Sequence, residues 1–386
     1  MRLTRQARYR KGKITLNFWL LTARLGKNTS PILAPQPTTN NQQPTINMLL
    51  LSGDIGGTKT ILRLVKVTSQ EQSFKTIKEE KFSSAKFPDL VPIVKQFLTK
   101  HQLERAELAC FAIAGPVINN SSNLTNLNWQ LTASRLEREL NINHVSLIND
   151  FAANSYGVLG LKESELATLQ TGKTIANAPI AVIGAGTGLG EGFLLSHQNR
   201  YYVFPSEGGH TDFAPRNNLE MQLLQYLQKK LNQDHISVER VVSGQGIVSI
   251  YQFLRDTNFA PEDKAISSQI KTWESQTVKK IDPAAIISVG AQEQDTLCLK
   301  TMNMFVEAYG AETGNLALKI LPYGGIYIAG GIAAKNLCFM EQGSFLDAYS
   351  DKGRMSNLLR DIPVHIVLNS QLGLLGSISY ALKNNI

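Results

Sequence analysis

The hydrophobic pattern of the chain first becomes regular at Met48–Asp54, a short apolar run that ends in glycine-rich sequence. Two runs with strand character follow it, the β-branched Thr60–Thr68 and the alternating Phe74–Phe82, and together the three predict a β-meander. Further spacings predict a helix, a strand, a helix and a strand, at Leu90–Leu98, Ala106–Ala114, Ser134–Leu140 and His144–Asn149. This order predicts a mixed sheet covered by helices.

The second half of the chain repeats this theme around a second glycine-rich segment. Strands are predicted at Ile180–Ile183, Glu191–His197, Tyr201–Pro205 and Gly325–Ala329. Helices are predicted at Leu219–Leu231, Gly246–Leu254, Ala284–Gly290, Thr296–Ile320 and Ser370–Leu382. The weak periodicity of Arg255–Ile281 favours a surface excursion. Because each half contains a glycine hairpin, we expect a duplicated architecture, although no sequence repeat runs through the whole length.

A break in composition separates residues 1–47 from the rest of the chain. This segment contains eight Lys and Arg and no Asp or Glu, whereas residues 48–386 contain 31 residues of each sign. The net charge of +8 therefore belongs to the segment, and within it Thr29–Thr45 is uncharged and rich in Pro, Asn, Gln and Thr. Two interpretations of residues 1–47 compete: a disordered basic extension that serves in targeting, or a mis-assigned start ahead of a true start at Met48. We favour the second.

The body of the chain gives no reason to expect a nucleic-acid or membrane partner. Its charge is balanced and it has no helix-turn-helix or basic stripe, and no run approaches the roughly 18 apolar residues of a membrane span. Cys110, Cys298 and Cys338 are widely spaced without a CxxC pair, which suits a reducing cytosol and argues against a disulfide framework. We therefore predict a globular, cytoplasmic protein.

The first glycine-rich motif is Gly53-Asp54-Ile55-Gly56-Gly57-Thr58-Lys59-Thr60. It comes close to the GxxxxGK[ST] phosphate loop, but Thr58 replaces the second glycine, and strand residues follow where that loop would begin a helix. We therefore predict a hairpin whose backbone N–H groups approach phosphate, with Asp54 placed to hold a hydrated Mg²⁺. A plain glycine-rich β-turn is the alternative.

The second motif is Gly184-Ala185-Gly186-Thr187-Gly188-Leu189-Gly190-Glu191-Gly192. Glycine at every other position fits neither GxGxxG nor a lysine-bearing phosphate loop. We predict a second hairpin, with Thr187 and neighbouring backbone amides facing phosphate. Since a structural turn needs two glycines rather than five, we interpret the excess as close approach by something other than protein.

Polar residues follow predicted strands and turns at three further places. Asn149-Asp150 comes directly after a strand, at the end where α/β sheets bind ligands. Glu207 and His210 flank a Gly-Gly turn, and Glu239 precedes the turn at Ser243. Carboxylates and an imidazole suit the vicinal hydroxyls of a sugar, each of which donates and accepts. The alternatives are that Asp150 caps the following helix and that the Glu207–His210 turn is only structural.

The two hairpins, about 130 residues apart, resemble the phosphate-1 and phosphate-2 loops of the sugar kinase, Hsp70 and actin superfamily. Within it, the chain from Met48 onward is similar to the bacterial-type glucokinase family. The family's motifs appear in order as Asp54-Ile55-Gly56-Gly57-Thr58, Ala114-Gly115-Pro116-Val117, Thr125-Asn126-Leu127-Asn128-Trp129, Asn149-Asp150-Phe151, Gly184–Gly190, Glu207-Gly208-Gly209-His210, Glu239-Arg240-Val241-Val242-Ser243-Gly244 and Ala329-Gly330-Gly331-Ile332. One departure is Ala185, where the family has proline.

The resemblance implies an α/β protein with the actin-like (ribonuclease H-like) two-domain ATPase fold. The small domain would comprise residues 48–160 together with 367–386, and the large domain residues 161–366. The implied activity is ATP-dependent phosphorylation of glucose on its 6-hydroxyl, with ATP and Mg²⁺ as cofactors and with both substrates in the cleft between the domains.

The resemblance also implies a role for each matching residue. The match of Asp150 is the general base that takes the proton from the 6-hydroxyl. Glucose O1, O2 and O3 would be bound by Glu207, His210 and Glu239, and the sugar also by Asn126 and by Asn149, the latter through O3 or O4. The implied nucleotide-binding residues are Asp54, Gly56, Gly57, Thr58, Gly184, Gly186, Thr187, Gly188, Ser243, Gly244, Gly330 and Gly331. Of these, Asp54 would hold Mg²⁺ through water.

Some alternatives stay open within this resemblance. Ser243-Gly244 and Gly330-Gly331 both suit helix starts that bind nothing. A zinc site at His210 is disfavoured, because the zinc-bearing repressor-type sugar kinases have cysteines just after this histidine and residues 211–240 have none. Rival functions are a kinase for another hexose, a non-catalytic ATP switch and a sugar-responsive regulator. A homodimer, the phosphoryl donor and regulation are also left open.

Overall fold

The structure, a computed structural model, describes residues 47–68, 73–103, 105–276 and 281–385. The strands of these residues are β1 (Asn47–Ile55), β2 (Lys59–Thr68), β3 (Ser73–Ser83), β4 (Leu108–Ile113), β5 (Ser121–Leu124), β6 (Trp129–Thr132), β7 (His144–Asn149), β8 (Leu166–Gln170), β9 (Ile180–Ala185), β10 (Leu189–His197), β11 (Arg200–Ser206), β12 (Ile326–Ala329) and β13 (Val364–Val367).

The helices of the same residues are α1 (Leu90–Lys100), α2 (Ala133–Leu140), α3 (Asp150–Gly157), α4 (Asn218–Leu231), α5 (Gly244–Asp256), α6 (Lys264–Ser275), α7 (Pro283–Gln292), α8 (Thr296–Ile320), α9 (Gly331–Lys335), α10 (Leu337–Met340), α11 (Ser344–Ser350), α12 (Ser356–Arg360) and α13 (Leu372–Asn385). Short 3₁₀ turns at Gly208–His210 and Val238–Arg240 carry residues of the candidate site.

The first sheet has the strand order β3-β2-β1-β4-β7. Its β1–β2 and β2–β3 pairs are antiparallel and its β1–β4 and β4–β7 pairs are parallel, so it is mixed. One face is covered by α1 and α2. In α1 the apolar residues Leu90, Ile93, Val94 and Phe97 recur at helical spacing and are fully buried against this face.

The outer strand β7 does not expose all of its backbone to solvent. The side chain of Asn120 donates to the carbonyl of Val145 (3.1 Å) and accepts from the amide of Leu147. The carboxylate of Glu137 accepts from the amide of Val145 (2.9 Å). These side chains therefore occupy backbone groups of β7 with which another strand would otherwise pair.

The second sheet has the strand order β11-β10-β9-β12-β13-β8. Its largest core lies on the face covered by α5 and the long α8. Tyr309 of α8 is fully buried there, and its hydroxyl accepts from the amide of Ala185 (3.0 Å). This bond fixes the end of β9, from which the second glycine hairpin departs.

The last helix, α13, packs on the other face of the first sheet and along α3. The hydroxyl of Ser52 in β1 is hydrogen-bonded to Ser377 (2.6 Å) and donates to the carbonyl of Leu374 (3.0 Å). A Cβ on Gly376 would lie 1.6 Å from the carbonyl oxygen of Ala153, so α3 and α13 approach with backbone in contact. The chain thus completes the first sheet's cover with its final residues.

Every helix and strand predicted above occurs in the structure, with ends that differ by a few residues. The expectation for Arg255–Ile281 was incomplete, because α6 lies within this range and buries Ile270. The strands β5, β6, β8 and β13 were not predicted. No helix of the described residues is long and apolar enough to span a membrane.

Two predictions about organisation are not tested by this arrangement. Nearly all of the proposed extension at residues 1–47 lies outside the described residues. The division into residues 48–160 with 367–386 and residues 161–366 stays a prediction.

Candidate active site

The end of β7 positions Asn149 and Asp150. The side-chain oxygen of Asn149 accepts from the amides of Phe151 and Ala152, both at 3.0 Å, and so caps α3. The alternative that Asp150 is the cap is therefore wrong. The amide nitrogen of Asn149 donates to the carbonyl of Gly115 (3.1 Å) and to Asp150 Oδ1 (3.0 Å).

These four bonds use both donors and both acceptor positions of the Asn149 amide. In this arrangement no donor or acceptor remains for a sugar hydroxyl, and the side chain instead orients the neighbouring carboxylate. The role of Asn149 as a sugar ligand stays a prediction that would require one of these bonds to exchange.

Asp150 is half-buried at the start of α3. Burial and, to a smaller extent, the charge of Asp54 raise its pKa to about 6, against the opposing hydrogen bonds from Phe151 (2.8 Å) and Asn149. Burial also raises the pKa of Asp54, at the end of β1, while the positive charge of Lys59 lowers it. Asp150 therefore has an affinity for protons well suited to a base near neutral pH.

The first glycine motif forms the predicted hairpin between β1 and β2. The amide of Gly56 donates to the carbonyl of Lys59 (2.9 Å), and Ser84 holds the turn from below by donating to the carbonyl of Gly56 (2.7 Å). Gly57 and Thr58 are exposed, so their amides are free to meet a ligand. A Cβ on Gly57 would lie 3.8 Å from Cβ of Asn126, which puts Asn126 at the hairpin tip.

The second glycine motif forms the predicted hairpin between β9 and β10, in which Gly184 lies directly opposite Gly190. The ring of Phe151 covers both glycines: a Cβ would lie 3.0 Å from the ring on Gly184 and 2.2 Å from it on Gly190. Gly192 is approached by Ser155, and Gly188 by the carboxylate of Glu239. Our interpretation of the excess glycine was therefore wrong at these positions, where the close approach is by protein.

Gly186 differs from the other glycines of this hairpin. A Cβ there would meet no atom of the described residues within 4 Å, and the neighbouring Thr187 is exposed. The open part of the hairpin is thus its tip, and the tip is the part that could face phosphate.

Leu189 of β10 is contacted by the side chain of Glu239 and by the turn that carries Glu207 and His210. A Cβ on Gly209 would lie only 2.1 Å from the carbonyl oxygen of Leu189. The amide of Leu189 donates to Oε2 of Glu239 (2.9 Å). The side chains of Glu207 and His210 are exposed, with Oε2 and Nε2 3.9 Å apart. The next residue, Gly190, contacts the ring of Phe151, which directly follows Asp150 in the chain.

The remaining predicted nucleotide residues meet at the second hairpin. The amide of Gly244 donates to the carbonyl of Gly186 (2.8 Å), and Ser243 caps α5 by accepting from the amide of Gly246 (3.0 Å). Gly330 has a φ of +87° and approaches the carbonyl oxygen of Ala185, which would lie 2.5 Å from a Cβ. Glycine is required there on both grounds. The structure thus brings Gly244 and Gly330 to the same hairpin.

Comparison with known proteins identifies the family. A family profile described as Glucokinase matches residues 51–384. The chain belongs to the glucokinase family. It is 58% identical over 334 residues to "Glucokinase" of Trichormus variabilis, covering 85% of this chain and 97% of that protein. It is 50% identical over 341 residues to "Glucokinase" of Synechocystis sp., covering 85% and 96%.

Solved structures of glucokinases have the same fold. A glucokinase from an Antarctic psychrotroph superposes with a TM-score of 0.75 at 29% identity, covering 87% of this chain and 99% of that one. A ROK-family glucokinase from Streptomyces griseus, solved with glucose and AMPPNP, gives a TM-score of 0.57 at 19% identity, covering 87% and 100%. The actin-like α/β fold expected of a sugar kinase is confirmed.

Two residues of this glucokinase-family chain were not singled out from the sequence. Phe151 joins the segment of Asp150 to the second hairpin, and Glu191 lies buried under Gly208, with Oε2 1.9 Å from where a Cβ would be. The glycines that contact them were visible as a motif. Their positions in the sequence were the available signal, because Phe151 follows the proposed base Asp150 and Glu191 lies between two glycines of the second motif.

Proposed function

We propose that this chain transfers the terminal phosphoryl group of ATP to the 6-hydroxyl of glucose, with Asp150 as the general base. The observation that carries the proposal is that Glu239 and the turn of Glu207 and His210 both contact Leu189, whose neighbour Gly190 contacts Phe151, next to the half-buried Asp150. The high identity to glucokinases supports glucose as the sugar.

The proton of the 6-hydroxyl would pass to Asp150 as the hydroxyl oxygen bonds to phosphorus. With a pKa of about 6, the carboxylate is mostly ionised at neutral pH and can accept it. Glu207, His210 and Glu239 would hold the other hydroxyls, and Asn126 would contribute from the turn between β5 and β6, beside the tip of the first hairpin. Fixing the acceptor in this way supplies most of what phosphoryl transfer requires of a protein.

ATP would lie with its phosphates between the two hairpins. The exposed amides of Gly57 and Thr58 and the open tip at Gly186 and Thr187 supply the donors, while Gly184, Gly188 and Gly56 shape the turns. Ser243, Gly244, Gly330 and Gly331 would face the adenosine.

The residues present fit Mg²⁺ at Asp54. Its carboxylate is half-buried, burial raises its pKa, and its charge raises the pKa of Asp150, so a nearby cation would relieve both effects. Asp54 would hold Mg²⁺ through water, and the ion would neutralise charge on the phosphates.

A coupled assay of glucose 6-phosphate formation, with a panel of hexoses and phosphoryl donors, tests this function. We expect glucose and ATP with Mg²⁺ to give the highest kcat/KM. A higher kcat/KM for mannose or fructose would identify a different hexose kinase, and ATP hydrolysis without sugar phosphorylation would identify an ATP switch.

The same preparation tests the oligomeric state of the protein. We propose a cytoplasmic enzyme that needs neither nucleic acid nor membrane, in keeping with its spaced cysteines. Size-exclusion chromatography with and without substrates distinguishes a monomer from a homodimer.

A further inference from the structure

We infer that Glu239 serves both substrates, binding the sugar with one carboxylate oxygen and fixing the nucleotide hairpin with the other. The inference rests on the proposed function, because it takes glucose and ATP as the ligands of the two sites. It makes Glu239 a positioning residue for the nucleotide hairpin in addition to its role toward the sugar.

The direct contact is a hydrogen bond into the hairpin. Oε2 of Glu239 accepts from the amide of Leu189 at 2.9 Å, immediately after the hairpin tip. Oε1 makes no hydrogen bond to any of the described residues. An ionised carboxylate accepts on both oxygens, so Oε1 is left for a sugar hydroxyl.

The glycine next to this bond shows how tightly the carboxylate is seated. A Cβ on Gly188 would lie 2.3 Å from Oε2 of Glu239 and 3.0 Å from its Cδ. Any larger residue at position 188 must displace the end of the Glu239 side chain. The backbone of Gly188 does not have a positive φ, so alanine fits it without strain, and displacement of Glu239 is its main effect.

A second connection joins the same two segments. The backbone carbonyl of Glu239 accepts from the hydroxyl of Ser243 (2.7 Å), and the amide of the following Gly244 donates to the carbonyl of Gly186 (2.8 Å). The segment from Glu239 to Gly244 therefore binds the hairpin at both ends, through Leu189 and through Gly186.

Glu207 has no comparable connection. Its side chain is 93% exposed, and its ion-pair partner is His210 of the same turn, at 3.9 Å. Loss of this carboxylate should weaken only sugar binding, which makes Glu207 the matched control for Glu239.

The test measures the binding of AMPPNP with Mg²⁺ without sugar, and of glucose without nucleotide, by isothermal titration calorimetry. Glu239→Ala should weaken both by roughly tenfold or more, since a charged hydrogen bond is lost on each side. Glu239→Gln keeps an acceptor for the Leu189 amide and should weaken glucose alone. Glu207→Ala should also weaken glucose alone.

Two glycine variants test the contact from the other side. Gly188→Ala should weaken glucose binding although it lies in the nucleotide hairpin, whereas Gly186→Ala, whose Cβ meets open space, should weaken only AMPPNP. Circular dichroism and melting temperature establish that each variant is folded.

Unchanged AMPPNP binding in Glu239→Ala, or unchanged glucose binding in Gly188→Ala, would overturn the inference. The proposed function is judged separately, by the activity of the wild type. If the wild type phosphorylates glucose but either variant retains the binding named above, only the inference fails.

Discussion

At the residue scale, the environment of Asp150 combines influences of opposite sign. Burial and the nearby Asp54 raise its pKa, and donors from Phe151 and Asn149 lower it, with the balance at about 6. The donors also fix Oδ1, which leaves the second oxygen to face a substrate. A carboxylate held in this way is ionised when its substrate arrives and is already oriented.

Asp150→Asn should keep the fold and glucose binding and lower kcat by on the order of 10²–10⁴, because an amide cannot take the proton. Steady-state kinetics together with glucose calorimetry measure the two properties. A variant with nearly unchanged kcat would show that Asp150 is not the base.

Glu207→Gln and His210→Ala should raise the KM for glucose far more than the KM for ATP, since each removes polar contacts to the sugar. Initial rates over both substrate concentrations separate the two constants. If both constants rise equally, the turn at Glu207–His210 belongs to the wall of the cleft rather than to the sugar site.

Sequence alone was sufficient to select the residues that meet at this site, because their types and order carry the chemistry. It was not sufficient to say what each side chain already touches. The bond from Asn149 to the carbonyl of Gly115, and the position of Phe151 over Gly184 and Gly190, depend on how separate segments of the chain meet. Such contacts join residues distant in the chain and leave no local pattern.

At the scale of elements, β10 carries an acid that no neighbour neutralises. Glu191 is only 3% exposed, and its Oε1 lacks a hydrogen-bond partner. Burial and, to a smaller extent, the charge of Glu312 raise its pKa to about 7, against the opposing charge of Lys319. The folded protein therefore binds this proton more tightly than the unfolded chain, whose pKa is near 4.5.

The stability that this proton contributes is present below about pH 4.5 and is lost as the pH rises to about 7. Glu191→Gln cannot lose it, so at pH 8 the variant should be more stable than the wild type, by on the order of 3 kcal/mol. Thermal melts of both proteins from pH 5 to pH 8 measure the difference. A difference that does not grow with pH would contradict the prediction.

The contact between α3 and α13 depends on glycine. Gly376→Ala would place its Cβ 1.6 Å from the carbonyl oxygen of Ala153, and two helix backbones cannot yield as a side chain does. We expect a melting temperature several degrees lower, since overpacking costs about 1–3 kcal/mol or more. Ser379→Ala, which removes one bond within the same helix, is the control and should change little.

An unchanged or higher melting temperature for Gly376→Ala would show that the helices can separate at no cost. That result is what helix propensity alone would give, because alanine favours a helix over glycine by roughly 0.5–1 kcal/mol.

Some elements were predictable from length or composition, because α8 extends over 25 residues and the four central residues of β7 form one continuous buried run. The four-residue strand β13 was missed because so short an apolar run does not distinguish strand from loop. The helix α6 was missed although Ile266, Ile270 and Trp273 recur at helical spacing and pack on the core of the second sheet, because so short a stripe lies between polar segments.

At the scale of the whole molecule, the prediction concerns residues 1–47. Deleting them should leave kcat/KM, melting temperature and size-exclusion profile unchanged. The reason is their composition, with positive charge only, next to a charge-balanced chain in which the family match begins at residue 51. Exposed charges are screened over about 8 Å at physiological salt, so little attraction for ATP would be lost.

The comparison uses both forms purified in parallel. A truncated protein that melts several degrees lower, or elutes as a different oligomer, would show that the segment is structural.

The position of α13 also bears on how the protein is made. One face of the first sheet, formed by residues such as Leu50, Val65 and Cys110, is covered by Ile378 and Ala381. A ribosome delivers these residues more than 300 positions after β1. The nascent chain therefore carries an apolar sheet surface until α13 has emerged. We expect synthesis in the cell to depend on chaperones that shield this surface, and stop codons before residue 378 to yield aggregates rather than a smaller folded enzyme.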